Sequence, residues 1–152
     1  MRNVKYVVAE DYWIKIRDNL FLKIPQGYAY NGCTGVIDAC RAASAIHDFT
    51  YQNPELTVSD DYGHIHKIKL TRNTKDKIYR DLTSAKTRWI RYFGLVLLGG
   101  WFEYKSKPLY FDVSNFEDIP IERCNHKKIE CYRRPDSKTN MVWREQFSWY
   151  VI

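Results

Sequence analysis

The chain has 152 residues, of which 45% are hydrophobic, 16% aromatic and 28% charged, and its formal net charge is +6. This hydrophobic fraction is enough for a packed core and excludes a globally disordered chain, while the length fits one domain. The positive charge suits either simple solubility or an anionic partner, such as nucleic acid or an anionic membrane surface.

Neither a secretory signal nor a spanning helix is predicted. Residues 1–10 lack a long apolar region. The most apolar run, 93–102, has about ten residues, whereas a spanning helix needs roughly 20. The chain is therefore not expected to be secreted through a classical signal or to cross a membrane on its own.

The four cysteines form two pairs, each with C-x6-C spacing. Zinc pairs are usually tighter, about two to four residues apart, and a disulfide framework is not favoured without a secretory signal. His126 lies inside the second pair and keeps a metal site as the less favoured alternative. Separate reduced thiols are predicted for Cys33, Cys40, Cys124 and Cys131.

The N-terminal quarter of the chain predicts strands followed by a loop. Residues 1–24 are rich in β-formers, with a turn at Asp18-Asn19. Pro25 cannot donate to a ladder and ends the last strand. Residues 25–38 contain three glycines and predict a loop.

Two helices are predicted next, separated by an ambiguous segment. Alanines favour a helix over 39–52, with Asp38 as its N-cap and Pro54 beyond its end. Within 56–70, Ser59 allows a short helix, whereas residues 64–70 alternate like a strand. The longest amphipathic pattern covers 73–98.

These elements predict an α+β fold. A small N-terminal antiparallel sheet packs with two or three helices in a core of residues 1–107. Residues 108–152 form an irregular or β extension, with strands expected near 110–113 and 141–152. The extension packs on the core, so the chain is expected to be one domain overall.

The residue pattern with chemical content is His47-Asp48-x-x-Tyr51. His47 and Tyr51 are four residues apart and share a helix face. A histidine whose other nitrogen is held by a carboxylate can take a proton from water. Carbonyl oxygens of the preceding glycine loop and the Asp48 carboxylate would suit a hard cation.

This pattern resembles an uncharacterised phage and prophage family of the DUF1353 type. The resemblance covers residues 20 to 100 and rests on motifs in a fixed order: Ile24-Pro25-Gln26-Gly27-Tyr28, the Asn31-Gly32-Cys33 turn, the His47 to Tyr51 motif, then Arg72, Asp76, Tyr79 and the 89–94 segment with Arg91. Thr34 and Tyr79 depart mildly from the family pattern. The resemblance implies a phage protein with host or phage proteins as partners. It also implies a location in the phage virion or in the infected cell, in the cytoplasm or at the inner envelope.

A second resemblance is to phospholipase A2 domains, which have a glycine-rich calcium loop and an H-D-x-x-Y helix. It implies that His47 is the general base and that Asp48 binds Ca²⁺ with the carbonyls of Gly32 and Gly35. The dense disulfide pattern of those domains is missing. Arg41 also stands where they usually have an aspartate, which places the calcium loop in doubt.

Two aspartates compete for the position behind His47. Asp81 lies at the edge of the apolar stripe of the second helix, and Asp76 lies nearly opposite it, so periodicity slightly favours Asp81. The phage-family pattern points instead to Asp76. Arg72 and Asp76 also fit a surface ion pair. The sequence leaves this choice open.

Three functions compete at this point. The first is a phospholipase-like hydrolase directed at the envelope. The second is a virion component without enzymatic activity or an inhibitor of a host protein. The third is nucleic-acid binding through a basic segment, which contains Lys67, Lys69, Arg72, Lys75, Lys77, Arg80, Lys86, Arg88 and Arg91. A structural role for His47 and a solvated helix face remain the plain alternatives.

Overall fold

The structure is a computed structural model that describes residues 4–31, 41–82, 107–124, 129–134 and 144–152. Its strands, in chain order, are β1 Tyr6–Val8, β2 Tyr12–Arg17, β3 Leu20–Ile24, β4 Tyr28–Tyr30, β5 Leu56–Ser59, β6 Ile65–Ile68, β7 Leu109–Tyr110, β8 Ile121–Arg123, β9 Cys131–Tyr132, β10 Arg144–Glu145 and β11 Ser148–Val151. The described helices are α1 Arg41–Gln52 and α2 Arg72–Leu82.

These elements confirm the predicted α+β fold. The described strands form a six-stranded sheet in the order β10-β9-β2-β3-β5-β6 and a five-stranded sheet in the order β7-β4-β1-β11-β8. The strand pairs in both sheets are antiparallel. The β content is therefore larger than a small N-terminal sheet.

The predicted N-terminal strands are present as β1, β2 and β3. The turn at Asp18-Asn19 joins β2 to β3, and Asn19 has a φ of 58°. Asparagine tolerates this left-handed conformation better than most residues, which explains why it lies there. The segment 56–70 is a strand pair, β5 with β6, so the alternating pattern and not the short helix is correct.

The loop prediction for 25–38 is wrong over Tyr28–Tyr30, which form β4. This strand pairs with β1 on one side and with β7 on the other. Its ladder partners are distant in sequence, so the local glycines dominated the pattern. The rest of that segment after position 31 lies outside the described residues.

Strands from both sides of position 108 share the two sheets. β11 lies between β1 and β8, and β9 pairs with β2. Only the first part of the expected 110–113 strand is a strand, since Val113–Asn115 form a 3-10 turn capped by Asp112. Residues after 107 are therefore interleaved with the N-terminal strands.

The core contains side chains from both sheets and both helices. At one end of α1, the Arg41 guanidinium lies 4.7 Å from the ring of Tyr6 and contacts the Glu122 carboxylate at 2.5 Å. Trp149 donates its indole N–H to the same carboxylate at 3.0 Å. These contacts fix the start of the described helix against the five-stranded sheet.

In the part of the chain that is described, no helix has the length and apolar character needed to cross a bilayer.

Candidate functional site

Helix α1 presents His47 and Tyr51 on one buried face. Alanines at positions 42, 43 and 45 favour the helix and allow close packing. The helix ends at Gln52, and the backbone and side-chain N–H groups of the next residue, Asn53, both donate to the Phe49 carbonyl oxygen, at 3.1 and 2.8 Å. The rings of His47 and Tyr51 lie one turn apart, with centroids separated by 4.1 Å.

Helix α2 packs against α1 and supplies a buried carboxylate. Its first turn is capped by Thr71, whose hydroxyl accepts the Thr74 backbone N–H at 3.2 Å. Asp76 is 1% exposed. Its Oδ1 atom accepts a hydrogen bond from the Tyr51 hydroxyl and lies 3.5 Å from Nε2 of His47. One carboxylate oxygen therefore contacts both residues of the α1 motif.

The preference for Asp81 is wrong for this contact. Asp81 is exposed, with 64% of its side chain accessible, and pairs with Arg80 at 3.1 Å. The buried face of α2 extends beyond the apolar stripe and includes Lys75 and Asp76, because polar groups with partners can be buried. The same burial means that Asp76 is not the surface carboxylate of a simple i,i+4 ion pair with Arg72.

Two further side chains of α2 complete the cluster, and neither was predicted to lie beside His47. On α2, the Tyr79 ring lies 4.9 Å from the imidazole of His47. Tyr51 contacts the same imidazole from α1. Lys75 is 2% exposed, and its Nζ lies 5.9 Å from the centroid of the Tyr51 ring. A lysine is rarely buried unless it is paired. The hydropathy of Lys75 therefore predicts an exposed side chain, and only the structure shows that it is buried.

The two aspartates on either side of His47 determine its protonation. Burial lowers the pKa of His47, but Asp48 and Asp76 together outweigh burial, and the net pKa is raised above 6.5. The Asp48 Oδ1 lies 3.9 Å from Nδ1 of the imidazole. The pKa of Asp48 is raised too, because burial disfavours its charged form more than the neighbouring His47 favours it. His47 therefore holds a proton more strongly in the folded protein than in the unfolded chain.

This shift gives a testable dependence of stability on pH. A raised folded-state pKa stabilises the protein fully below the unfolded pKa, and the contribution is lost as pH rises through the folded value. The free energy of unfolding lost in His47→Gln is therefore expected to be largest below about pH 6.5 and to shrink at alkaline pH. Urea unfolding of both proteins from mildly acid to alkaline pH measures it. A difference that stays constant over this range would contradict the assigned shift.

The remaining predicted site residues are only partly described. Gly32, Gly35 and Arg91 lie outside the described residues, and Arg72 is the first residue of α2. Among the described residues, no three His, Cys, Asp or Glu side chains form a group that could hold a metal. Asp48 supplies one carboxylate and faces His47, which by itself does not make a calcium site.

The structure describes the second cysteine pair and part of the basic segment. Cys124 and Cys131 do not form a disulfide, and burial raises the pKa of the Cys131 thiol. Lys75 is buried, so it does not contribute to a surface basic segment. Positions 38–40 and 83–98 of the predicted helices, and the first cysteine pair, lie outside the described residues.

A polar cleft of about 470 Å³ lies apart from the His47 cluster, because none of the cluster residues lines it. Arg133 lies in this cleft between two carboxylates, 2.8 Å from Glu10 and 2.9 Å from Glu145. Its guanidinium charge is thus balanced locally. The His47 cluster, by contrast, brings together a basic nitrogen, the Asp76 carboxylate and the Tyr51 hydroxyl.

The arrangement can take up and release a proton. With Nε2 directed at Asp76, the other nitrogen, Nδ1, is available to act as the base. Comparison of the chain with protein-family models, curated proteins and solved structures finds no match.

Proposed function

We propose that this protein is a hydrolase of lipid esters, in which His47 is the general base and Asp76 orients it. The observation that carries the proposal is the position of Asp76, whose Oδ1 lies 3.5 Å from Nε2 while it also accepts from the Tyr51 hydroxyl. A buried carboxylate behind the imidazole stabilises the imidazolium that forms when the base takes a proton.

Nδ1 is the nitrogen that faces the reaction. The nearest described carboxylate, Asp48, is 3.9 Å away, which is longer than a direct hydrogen bond. Asp48 has 27% of its side chain exposed, compared with 10% for His47, so this side of the ring is the one that leads toward solvent. The Nδ1 lone pair is thereby available to a proton from water.

The reaction is a direct hydrolysis. A water oxygen forms a bond to the ester carbonyl carbon while one water proton passes to Nδ1 of His47. The bond from that carbon to the alcohol oxygen then breaks, and the proton passes from His47 to the leaving oxygen. A carboxylic acid and an alcohol leave, and His47 is neutral again.

A lipid is the substrate class that agrees best with the sequence. The His47-Asp48-x-x-Tyr51 helix is similar to that of phospholipase A2 domains, and the net charge of +6 favours an anionic surface. The resemblance to phage proteins supports an activity directed at the envelope of an infected cell. Ca²⁺ is part of the resemblance and is tested as an addition to the assay.

The test is lipid hydrolysis by the purified chain. Vesicles of phosphatidylethanolamine and phosphatidylglycerol are incubated with protein, with calcium chloride or with a chelator, and released fatty acid is measured by mass spectrometry. We expect His47→Gln to lower the rate by about 100-fold or more, since a positioned base contributes at least this much. His64→Gln is the matched control, because His64 is 77% exposed and pairs with Asp60 on the surface.

The pH profile separates catalysis from a simple loss of structure. The base must be neutral to act, so the rising limb of the rate is expected above pH 6.5, in keeping with the raised pKa of His47. Asp76→Asn removes one cause of that rise and should move the limb to lower pH. Absence of fatty-acid release by the wild type, or equal rates in His47→Gln and His64→Gln, would overturn the proposal.

A second candidate, a virion component or inhibitor without enzymatic activity, is favoured by the burial of the imidazole. His47 is 9% exposed and contacts the rings of Tyr51 and Tyr79. In that case His47→Gln lowers the free energy of unfolding while vesicles stay intact with every variant. Mass spectrometry of purified phage particles then tests the virion form directly.

A further inference from the structure

We infer that the outer edge of β6 binds an extended acidic segment of another protein by adding it as a strand. Among the described strands at sheet edges, β6 is the longest, with four residues against two or three in β7, β8 and β10. Natural edge strands are usually short or covered, because unpaired backbone groups offer a template for another chain.

The direction of the backbone groups at this edge follows from one hydrogen bond. The backbone N–H of Asp60 donates to the His64 carbonyl oxygen at 3.4 Å, so the His64 carbonyl is directed at β5. The register continues without a shift through Ser59↔Ile65 and Thr57↔Lys67. Since the direction alternates along an antiparallel strand, Ile65 and Lys67 direct their N–H and C=O groups away from β5.

The side chains around the edge are accessible and carry one sign of charge. Ile65 and Tyr62 are each 61% exposed. Lys67 and Lys69 are exposed, and residues 62–75 contain no acidic side chain. Asp60 and Asp61 come directly before this run, and Asp60 is paired with His64 at 2.8 Å. An incoming strand therefore meets cations and an apolar side chain, which fits glutamate or aspartate alternating with apolar residues.

A second copy of this chain is a poor occupant of the same edge. The antiparallel register that pairs Ile65 with Lys67 of the other copy places two His66 side chains opposite each other. The register centred on Lys67 places two lysines opposite each other, and like charges in such pairs destabilise a sheet. In these two registers, the basic side chains therefore favour an acidic partner over self-association.

The test uses a fluorescein-labelled synthetic peptide of alternating glutamate and valine, with an alternating lysine and valine peptide as control. Fluorescence anisotropy is expected to show binding of the acidic peptide alone, weakened by added salt. Ile65→Pro removes the outward N–H donor, whereas Ile65→Thr keeps it in a β-branched residue. We expect at least tenfold weaker binding by Ile65→Pro than by Ile65→Thr.

Hydrogen exchange of the wild type gives a second readout that does not depend on how the proline variant folds. The acidic peptide should protect the amides of Ile65 and Lys67, while the His66 amide, directed at β5, changes little. The inference is overturned if the wild type does not bind the acidic peptide, if both Ile65 variants bind equally, or if these two amides stay unprotected. Equal binding of the basic peptide, or binding of duplex DNA or anionic vesicles without this protection, also overturns it.

Discussion

Replacement of Asp76 by alanine is expected to lower the free energy of unfolding by about 3–5 kcal/mol. Asp76 is 1% exposed, and its Oδ1 accepts from the Tyr51 hydroxyl and faces Nε2 of His47. The substitution leaves the Tyr51 hydroxyl and Nε2 of His47 buried without this acceptor. It also removes one of the two carboxylates that raise the pKa of His47. Urea unfolding measures the change.

Asp81→Ala is the matched control on the same helix. Its side chain is 64% exposed and pairs with Arg80 at the surface, so the expected cost is under about 1 kcal/mol. Equal costs for the two alanine variants would show that the contacts of Asp76 contribute nothing beyond those of a surface carboxylate.

A double-mutant cycle assigns the energy to the contact itself. Tyr51→Phe removes the hydroxyl that donates to Asp76, and Asp76→Asn keeps the volume of the acceptor. Because the two groups touch, their effects are expected to be non-additive by about 1–3 kcal/mol. Additive effects would mean that the hydroxyl and the carboxylate stabilise the fold independently.

The choice between Asp76 and Asp81 also shows what a hydrophobic pattern can and cannot locate. The apolar residues Ile78 and Leu82 mark the centre of the stripe correctly, since both are buried. The buried face continues through Tyr79 to Lys75 and Asp76. A hydropathy scale rates each side chain by its preference for water. It therefore cannot identify a polar side chain, such as that of Asp76, that is buried because its partners lie on another helix.

The local elements were predictable where the signal was local. The alanine-rich run and Asn53-Pro54 placed α1 and its end, and alternation placed β6. β4 was not predictable in this way, because its ladder partners are Tyr6 and Val7 on one side and residues about 80 positions later on the other. The central place of β11 in its sheet is non-local in the same sense.

The second large effect is expected at Gly27, where alanine should cost about 3 kcal/mol of unfolding free energy. Gly27 has a φ of 86°, and a Cβ atom there would lie 2.3 Å from the Phe111 carbonyl oxygen. Strain in the left-handed region accounts for roughly 1–2 kcal/mol. The backbone clash adds the rest, because the carbonyl belongs to a neighbouring chain segment and not to a flexible side chain.

The cost arises because Gly27 joins two parts of the chain through its backbone. Its N–H donates to the Val8 carbonyl oxygen at 2.9 Å, and its own carbonyl accepts from Phe111 at 2.8 Å. Relief of the clash requires movement of Phe111, which lies directly after β7 in the five-stranded sheet. The pairing of β4 with β7 should therefore weaken together with the turn.

Gly63→Ala separates strain from contact. Gly63 has a φ of 82° in the β5–β6 turn, so alanine there carries the conformational cost that Gly27→Ala also carries. Urea unfolding is expected to show the larger loss for Gly27→Ala, and hydrogen exchange is expected to show faster exchange of the Phe111 amide in that variant alone. Equal losses with an unchanged Phe111 amide would place the whole effect in backbone conformation and remove the close approach as its cause.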